Sequence, residues 1–390
     1  MQIPVTEIQN FIYAHREEMI SLWKTLVNMQ SYSKEVSQVN RVLRYLKECF
    51  EAEGLSCRLI DSGGNADVLV AVDGRERPGK PILLGGHVDT VFPAGSFPEN
   101  PFYIENGMAY GPGVVDMKGG VVMILYIIKA LHQLHFQKCP IKVILCGDEE
   151  IGHAHADTGK ILTQEAFGAL CAFNMETGRE DNCLTIGRKG GVDCHITVHG
   201  VACHVGNQFL EGRNAIEEMA HKIILLQQLT EYEKGIVVSV DVIHGGTVSN
   251  AVPDCCKTEL DIRFNKVNDM EPVCEKIRQI CAVTYIEGTS TEVEFLSAMP
   301  AFEESEDNRK LHHLVCSTAA ACGYTPPGSI FVGGNSDAAF FAMAGVPTVC
   351  SCGVIGGKAH TLQEWGIVES MFERTVLFTA AILQLSENTK

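Results

Sequence analysis

The chain has 390 residues, 46% hydrophobic and 20% charged, a balance that allows two ordinary domains with their own cores and leaves little room for disorder. A formal net charge of -17, with no basic pair extending into a patch, argues against a nucleic-acid partner, because phosphate recognition needs clustered cations. The 16 Cys fall mostly in apolar runs, so buried free thiols in a reducing compartment are expected rather than a disulfide framework.

Residues 1–10 hold no basic segment followed by an apolar one, the mark of a signal peptide. The apolar run 119–128 is shorter than the roughly 20 residues of a membrane span. No membrane is expected, and the cytoplasm is the expected location.

In chain order, apolar positions at helical spacing predict helices over 14–29 and 36–54. Strands are predicted over 56–61 and 67–72, and 81–86 is a fully apolar run of the kind found in a covered central strand. A glycine-rich loop over 111–120 leads into a helix over 120–134, followed by a buried strand over 141–146. From Gly190 the texture changes to alternation: Val192, Cys194, Ile196 and Val198 interleave with Asp193, His195, Thr197 and His199, as in a half-buried antiparallel strand. A helix over 214–229, strands over 235–243 and 256–264, a helix over 269–281 and a strand over 289–295 complete a small α+β unit. The first texture then returns, with helices over 310–322 and 337–344, a buried strand over 348–352 and a closing helix over 367–385. A catalytic domain of residues 1–189 and 306–390, α/β with a mostly parallel mixed sheet, is therefore expected to carry an inserted domain of residues 190–305.

Chemistry-bearing residues collect at strand ends. His87 and Asp89 are two apart at the mouth of a strand, so both side chains share a face: one can bind a metal through the ring and the other fix the ring's second nitrogen. Glu149 and Glu150 are adjacent and must diverge, which suits one metal ligand and one proton carrier. Asp116, between glycines at 111, 113, 119 and 120, can offer one oxygen to each of two ions. Neither the P-loop pattern nor the dinucleotide fingerprint occurs there, and Lys118 reads as a surface ammonium. Glu176 and His360 follow an apolar strand and a glycine run. Taken singly, each has a plain explanation as a solvated turn or surface group. Together, two imidazoles and these carboxylates describe two tripods sharing Asp116, with donors suited to zinc, cobalt or manganese.

Gly86-His87-Val88-Asp89-Thr90-Val91, the 113–120 loop, Asp148-Glu149-Glu150-Ile151-Gly152, Glu176-Thr177-Gly178, Gly245-Gly246-Thr247 with Asn250 and Pro253, Asp261-Ile262-Arg263 and Ala359-His360 closely resemble the co-catalytic zinc exopeptidase and deacylase family. That family includes glutamate carboxypeptidase, acetylornithine deacetylase, succinyl-diaminopimelate desuccinylase, aminoacylase and tripeptidase. The resemblance implies a zinc-exopeptidase-like catalytic domain and an inserted ferredoxin-like lid and dimerisation domain. It implies that His87, Asp116 and Glu176 hold one zinc and Asp116, Glu150 and His360 the other, that Asp89 orients His87, and that Glu149 is the general base. It further implies that His204 reaches a partner subunit's oxyanion, that Arg263 clamps a substrate carboxylate, and that Asn250 assists beside it. A small peptide or N-acyl amino acid is the implied substrate and a homodimer the implied assembly.

Pro112 and Cys203 depart from the family's usual residues without removing a ligand. Glu at position 176 resembles the deacylases, whereas Glu211-Gly212-Arg213-Asn214 and the Val91-Phe92-Pro93-Ala94-Gly95 continuation resemble the glutamate carboxypeptidase branch. The expected activity is carboxypeptidase-like hydrolysis, with an N-acyl-amino-acid deacylase as the alternative. A non-enzymatic binding protein on this fold is the remaining reading, but such a protein is expected to lack Glu149, Glu150 or His360, and all three are present.

Overall fold

The computed structural model describes residues 3–388. Helices α1 (Val5–Ala14), α2 (Arg16–Asn28) and α3 (Val36–Ala52) open the chain; α1, absent from the expectations, buries only Ile8 and Ile12, too sparse a stripe to read as a period. Strands β1 (Ser56–Ile60), β2 (Val68–Asp73) and β3 (Ile82–His87) follow, then α4 (Gly119–Gln133), β4 (Ile141–Cys146), α5 (Thr158–Ala166) and β5 (Cys171–Asn174). Every residue of β3 is buried, as its unbroken apolar run requires of a strand covered on both faces.

The next segment forms a separate compact unit, Arg188–Glu303 with Gly333–Asn335. Strands β6 (Gly190–His199), β7 (Val237–Gly245), β8 (Cys255–Phe264) and β9 (Ser290–Met299) make an antiparallel sheet in the order β7-β8-β6-β9. Helices α6 (Ala215–Gln227) and α7 (Met270–Ala282) share one apolar cluster with the inward residues Val192, Cys194, Ile196 and Val198 of β6, so both cover the same face. The alternation in the sequence is the pleat of this one-sided sheet.

The chain returns through α8 (Glu306–Ala321), α9 (Ala338–Met343), β10 (Thr348–Val349) and α10 (Val368–Asn388). This completes the first unit's mixed sheet, β1-β2-β4-β3-β5-β10, in which β4, β3, β5 and β10 pair in parallel and β2 alone runs the other way, antiparallel to both β1 and β4. The strand expected over 348–352 stops at Val349 because Ser351 adopts a positive φ of 62°, and the backbone carbonyls of Ser351 and Cys352 turn to accept from the buried Arg374 guanidinium. The 16 cysteines are all free thiols. No helix among the described residues is long and apolar enough to cross a membrane.

Candidate active site

Parallel strands deliver their C-terminal ends to one edge, where ligand-bearing residues of α/β sheets gather. His87 closes β3, Asp148 to Glu150 follow β4, and Glu176 lies two residues past β5. Two glycines let the remaining segments come close. A Cβ on Gly120 would lie 2.0 Å from the Met175 carbonyl oxygen, so only glycine lets the start of α4 pack against the chain just past β5, while one on Gly86 would lie 2.2 Å from the Met117 methyl carbon and would displace that side chain from the Asp116 loop. His360 arrives on the loop between the short strands Gly356–Gly357 and Trp365–Ile367, the second of which pairs with Met108–Tyr110.

The result is a compact donor cluster. Asp116 lies between the two imidazoles: its Oδ1 is 3.2 Å from His87 Nε2 and its Oδ2 is 3.3 Å from His360 Nε2. Glu176 Oε1 is 3.4 Å from His87 Nε2, and Glu150 Oε2 is 2.9 Å from His360 Nε2. Donor atoms of His87, Asp116 and Glu150, and of His87, Glu149 and Glu176, all lie within 4.8 Å of one another in each group. Asp89, fully buried, lies 3.2 Å from His87 Nδ1 and also accepts from the Ser33 hydroxyl and from the backbone N–H groups of Glu149 and Glu150. One residue thus meets the ring and holds the acidic turn, since the Asp89 backbone carbonyl also lies 3.2 Å from Nδ1.

Carboxylates outnumber imidazoles here, and the protonation tendencies show it. Burial pulls His87 down, but Glu176, Asp116 and Asp89 outweigh it and hold the ring well above its usual range. Hydrogen bonds to Asp116 and Glu150 raise His360 to about 11. Burial pushes Glu149 well above the usual carboxylate range, with Glu176, Asp337 and Glu150 adding to it against His87, and burial raises Glu150 to about 7. Burial also acts upward on Asp116, but the two imidazoles hold it far below its usual range. An excess of negative charge around mixed nitrogen and oxygen donors fits two divalent cations, whose binding displaces the imidazole protons.

Two residues here depart from the sequence reading, one absent from it and one placed elsewhere by it. Glu364, 2% exposed, accepts from the backbone N–H groups of Gly113, Val115 and Asp116 at 3.0, 2.8 and 3.1 Å, fixing the Asp116 loop; burial raises its pKa to about 8 despite those donors. Lys118 is not the surface ammonium expected: it is 1% exposed and donates to the Met29 carbonyl, and burial lowers it to about 7 against the pull of Glu364 and Asp89.

A family model described as Peptidase family M20/M25/M40 matches residues 83–384. The chain belongs to this family. Carboxypeptidase G2 of Pseudomonas sp. (strain RS-16) is 25% identical over 370 residues, 94% of this chain and 88% of that protein. The succinyl-diaminopimelate desuccinylase of Acidiphilium cryptum (strain JF-5) is 28% identical over 360 residues, 88% of this chain and 92% of that one. Among solved structures, a tripeptidase from Staphylococcus aureus subsp. aureus Mu50 shares the fold with a TM-score of 0.78 at 21% identity, covering 95% of this chain and 99% of that one. This M20 protein is a zinc-dependent metallopeptidase or amidohydrolase acting on peptide or acyl-amide bonds, with a donor set for a dinuclear divalent-metal centre.

The other residues singled out by sequence belong to the second unit. His204 is exposed, ends the short strand Cys203–His204 and accepts the Gly206 N–H on its Nδ1. Asn250 is exposed and its carbonyl accepts from Val205 N–H. Arg263, on β8, grips Asp261 with Nε and Nη2, both at 2.6 Å, and Asn335 Oδ1 with Nη1 at 3.0 Å. A guanidinium has five N–H donors, so one remains on each terminal nitrogen.

Proposed function

We propose that this M20 protein removes an acyl group from the amino nitrogen of an N-acyl amino acid that carries a free carboxylate, in the manner of a desuccinylase. The recurrence of succinyl-diaminopimelate desuccinylases among the relatives carries this reading over the carboxypeptidase-like one expected from sequence, and Glu176 beside His87 agrees with it. A C-terminal exopeptidase is the second reading, favoured by the 94% coverage of this chain by Carboxypeptidase G2.

In this reading His87, Asp116 and Glu176 hold one ion and Asp116, Glu150 and His360 the other. When bound, such ions supply Lewis acidity, lowering the pKa of water from about 15.7 toward roughly 7. Glu149 accepts the proton of the attacking water on its carboxylate and returns it to the leaving nitrogen; burial, which raises its affinity for a proton, suits it to both steps. Asp89 holds the His87 ring. Arg263 keeps its side-on grip on Asp261 and offers the remaining N–H of each terminal nitrogen to the substrate carboxylate, so the clamp forms without breaking an existing ion pair. Asn250 assists at that carboxylate, and His204 donates to the oxyanion across a homodimer. The strand order β7-β8-β6-β9 with two helices on one face supports a ferredoxin-like lid for the inserted unit.

The test is turnover of N-succinyl and N-acetyl amino acids against dipeptides after reconstitution with zinc, cobalt or manganese. A kcat/KM at least tenfold higher on N-acyl substrates supports the deacylase. The reverse preference moves the assignment to the exopeptidase.

A further inference from the structure

Behind the acidic turn lies a second cluster, fully enclosed and unused by the steps above. Cys146 at the end of β4, Asp148, His153 and Asp337 at the start of α9 are 0%, 0%, 7% and 1% exposed. His153 has a carboxylate at each ring nitrogen: Asp148 Oδ1 is 2.8 Å from Nδ1 and Asp337 Oδ1 is 2.8 Å from Nε2. The other Asp337 oxygen accepts from the Cys146 thiol at 2.8 Å. The second Asp148 oxygen accepts from Thr158 and Asn65, and Asn65 also donates to the Ala154 carbonyl. A ring with acceptors on both nitrogens satisfies both only when both carry protons. Burial works against that charge, but the two aspartates outweigh it and hold His153 well above its usual range.

The cluster closes a loop around the catalytic turn. Starting from β4, the chain runs through Asp148, the 3-10 turn Glu149–Ile151 and the left-handed Gly152 to His153, whose ring bonds back to Asp148 and across to Asp337, which bonds back to β4 at Cys146. On the opposite side the backbone of Glu149 and Glu150 is held by Asp89. The turn is therefore gripped from both sides, and tilting it breaks two charge-assisted bonds in a site that is almost entirely buried.

We infer that His153, bridging Asp148 and Asp337, is a positioning residue that fixes the directions in which Glu149 and Glu150 project. This rests on the dinuclear donor set and not on the identity of the substrate. Cys146, His153 and Asp337 also have the donor types of a metal site, but their polar atoms satisfy one another at 2.8 Å, so the hydrogen-bonded arrangement is the one assigned.

The experiment compares cobalt-loaded wild type with H153N. Both should take up two equivalents of Co(II), while the visible d–d absorption of H153N shifts because Glu150 no longer meets its ion in the same direction. On any substrate the wild type turns over, kcat should fall about 10- to 100-fold, the usual effect of losing an outer-shell partner, with KM within twofold. A d–d spectrum that superimposes on the wild type, or an unchanged kcat per metal-loaded molecule, overturns the inference. So does a third equivalent in the wild type with a sulfur-to-cobalt band that C146S abolishes. If H153N does not fold, the near-isosteric D337N is read by the same spectrum and the same criteria. The spectrum reports on the turn even if no N-acyl substrate is cleaved, which separates failure here from failure of the deacylase reading.

Discussion

The two units present their functional residues in opposite ways. In the first, His87 and Asp89 are 1% and 0% exposed, and even the exposed His360 is held between Asp116 and Glu150, so each is tied to other groups before any ligand arrives. In the second, His204 and Asn250 lie on the surface, and Arg263 is anchored by its neighbour Asp261 and by Asn335. Rigid geometry suits metal ligands, which must meet an ion within tenths of an ångström, whereas groups that receive a mobile substrate tolerate exposure. Substitutions in the first unit should therefore strike metal binding or chemistry, and those at Arg263 and Asn250 in the second substrate affinity.

The largest expected effect breaks that comparison most directly. Glu149→Gln keeps the shape of the side chain but cannot carry the proton, so kcat should fall about 10²- to 10⁴-fold with two metal equivalents retained. Steady-state kinetics beside elemental analysis checks it, and a variant with near-normal kcat removes Glu149 as the base. Next in size is Glu364→Ala, which removes the side chain whose two oxygens collect three N–H groups around Asp116. Metal affinity should drop about 10- to 100-fold, read by competition with a chelator. If affinity holds while KM rises, the division of labour between the units is wrong. Smaller again is Arg263→Lys, where a point charge replaces a fork: KM should rise about tenfold with kcat and metal content kept.

What was legible in the sequence follows the same division between local and distant causes. β4 could be bounded over 141–146 because an apolar run between turn signals is a local property, and the alternation in β6 is likewise written residue by residue. His87, Asp116, Glu150, Glu176 and His360 could be proposed as one cluster because, although each alone reads as a solvated turn or surface group, together they supply two tripods sharing Asp116 within motifs that resemble the zinc exopeptidase and deacylase family. Glu364 could not, since its partners lie about 250 positions earlier and nothing beside it marks a backbone-binding acid. Lys118 reads as a surface ammonium for the same reason: the carbonyl that accepts its hydrogen bond belongs to Met29. Cys146 was correctly placed in a buried strand, yet its bond to Asp337 depends on α9 being laid across that strand's end. α5 escaped notice because only Thr158, Leu162 and Ala166 face inward.

The smallest effect on turnover should come from a pair that has no part in the site. Glu218 and Lys222, one helical turn apart on α6, are both fully buried, with Nζ 2.8 Å from Oε1. The other carboxylate oxygen accepts the N–H groups of Tyr285 and Ile286, and Lys222 also donates to the carbonyls of Cys281 and Val283, which ties α6 to the end of α7. Burial pushes the Glu218 carboxyl up, but Lys222 and the two N–H groups outweigh it and hold it below its usual value of 4.5. A carboxylate depressed in the folded state stabilises fully above its unfolded pKa and loses that contribution as pH falls through the folded value, so this pair weakens below about pH 4.5. Glu218→Gln should cost the second unit about 3 kcal/mol at pH 7, because it leaves a buried ammonium without its counter-charge, and the gap from wild type should close in acid as the wild-type carboxyl also becomes neutral. Both tryptophans, Trp23 and Trp365, belong to the first unit. Hydrogen exchange along β6 should therefore accelerate in the variant while the tryptophan-detected urea midpoint and the turnover at neutral pH stay put. A tryptophan midpoint that moved in step with β6 exchange would mean the two units unfold as one, and the contrast drawn between them would then hold for their chemistry but not for their stability.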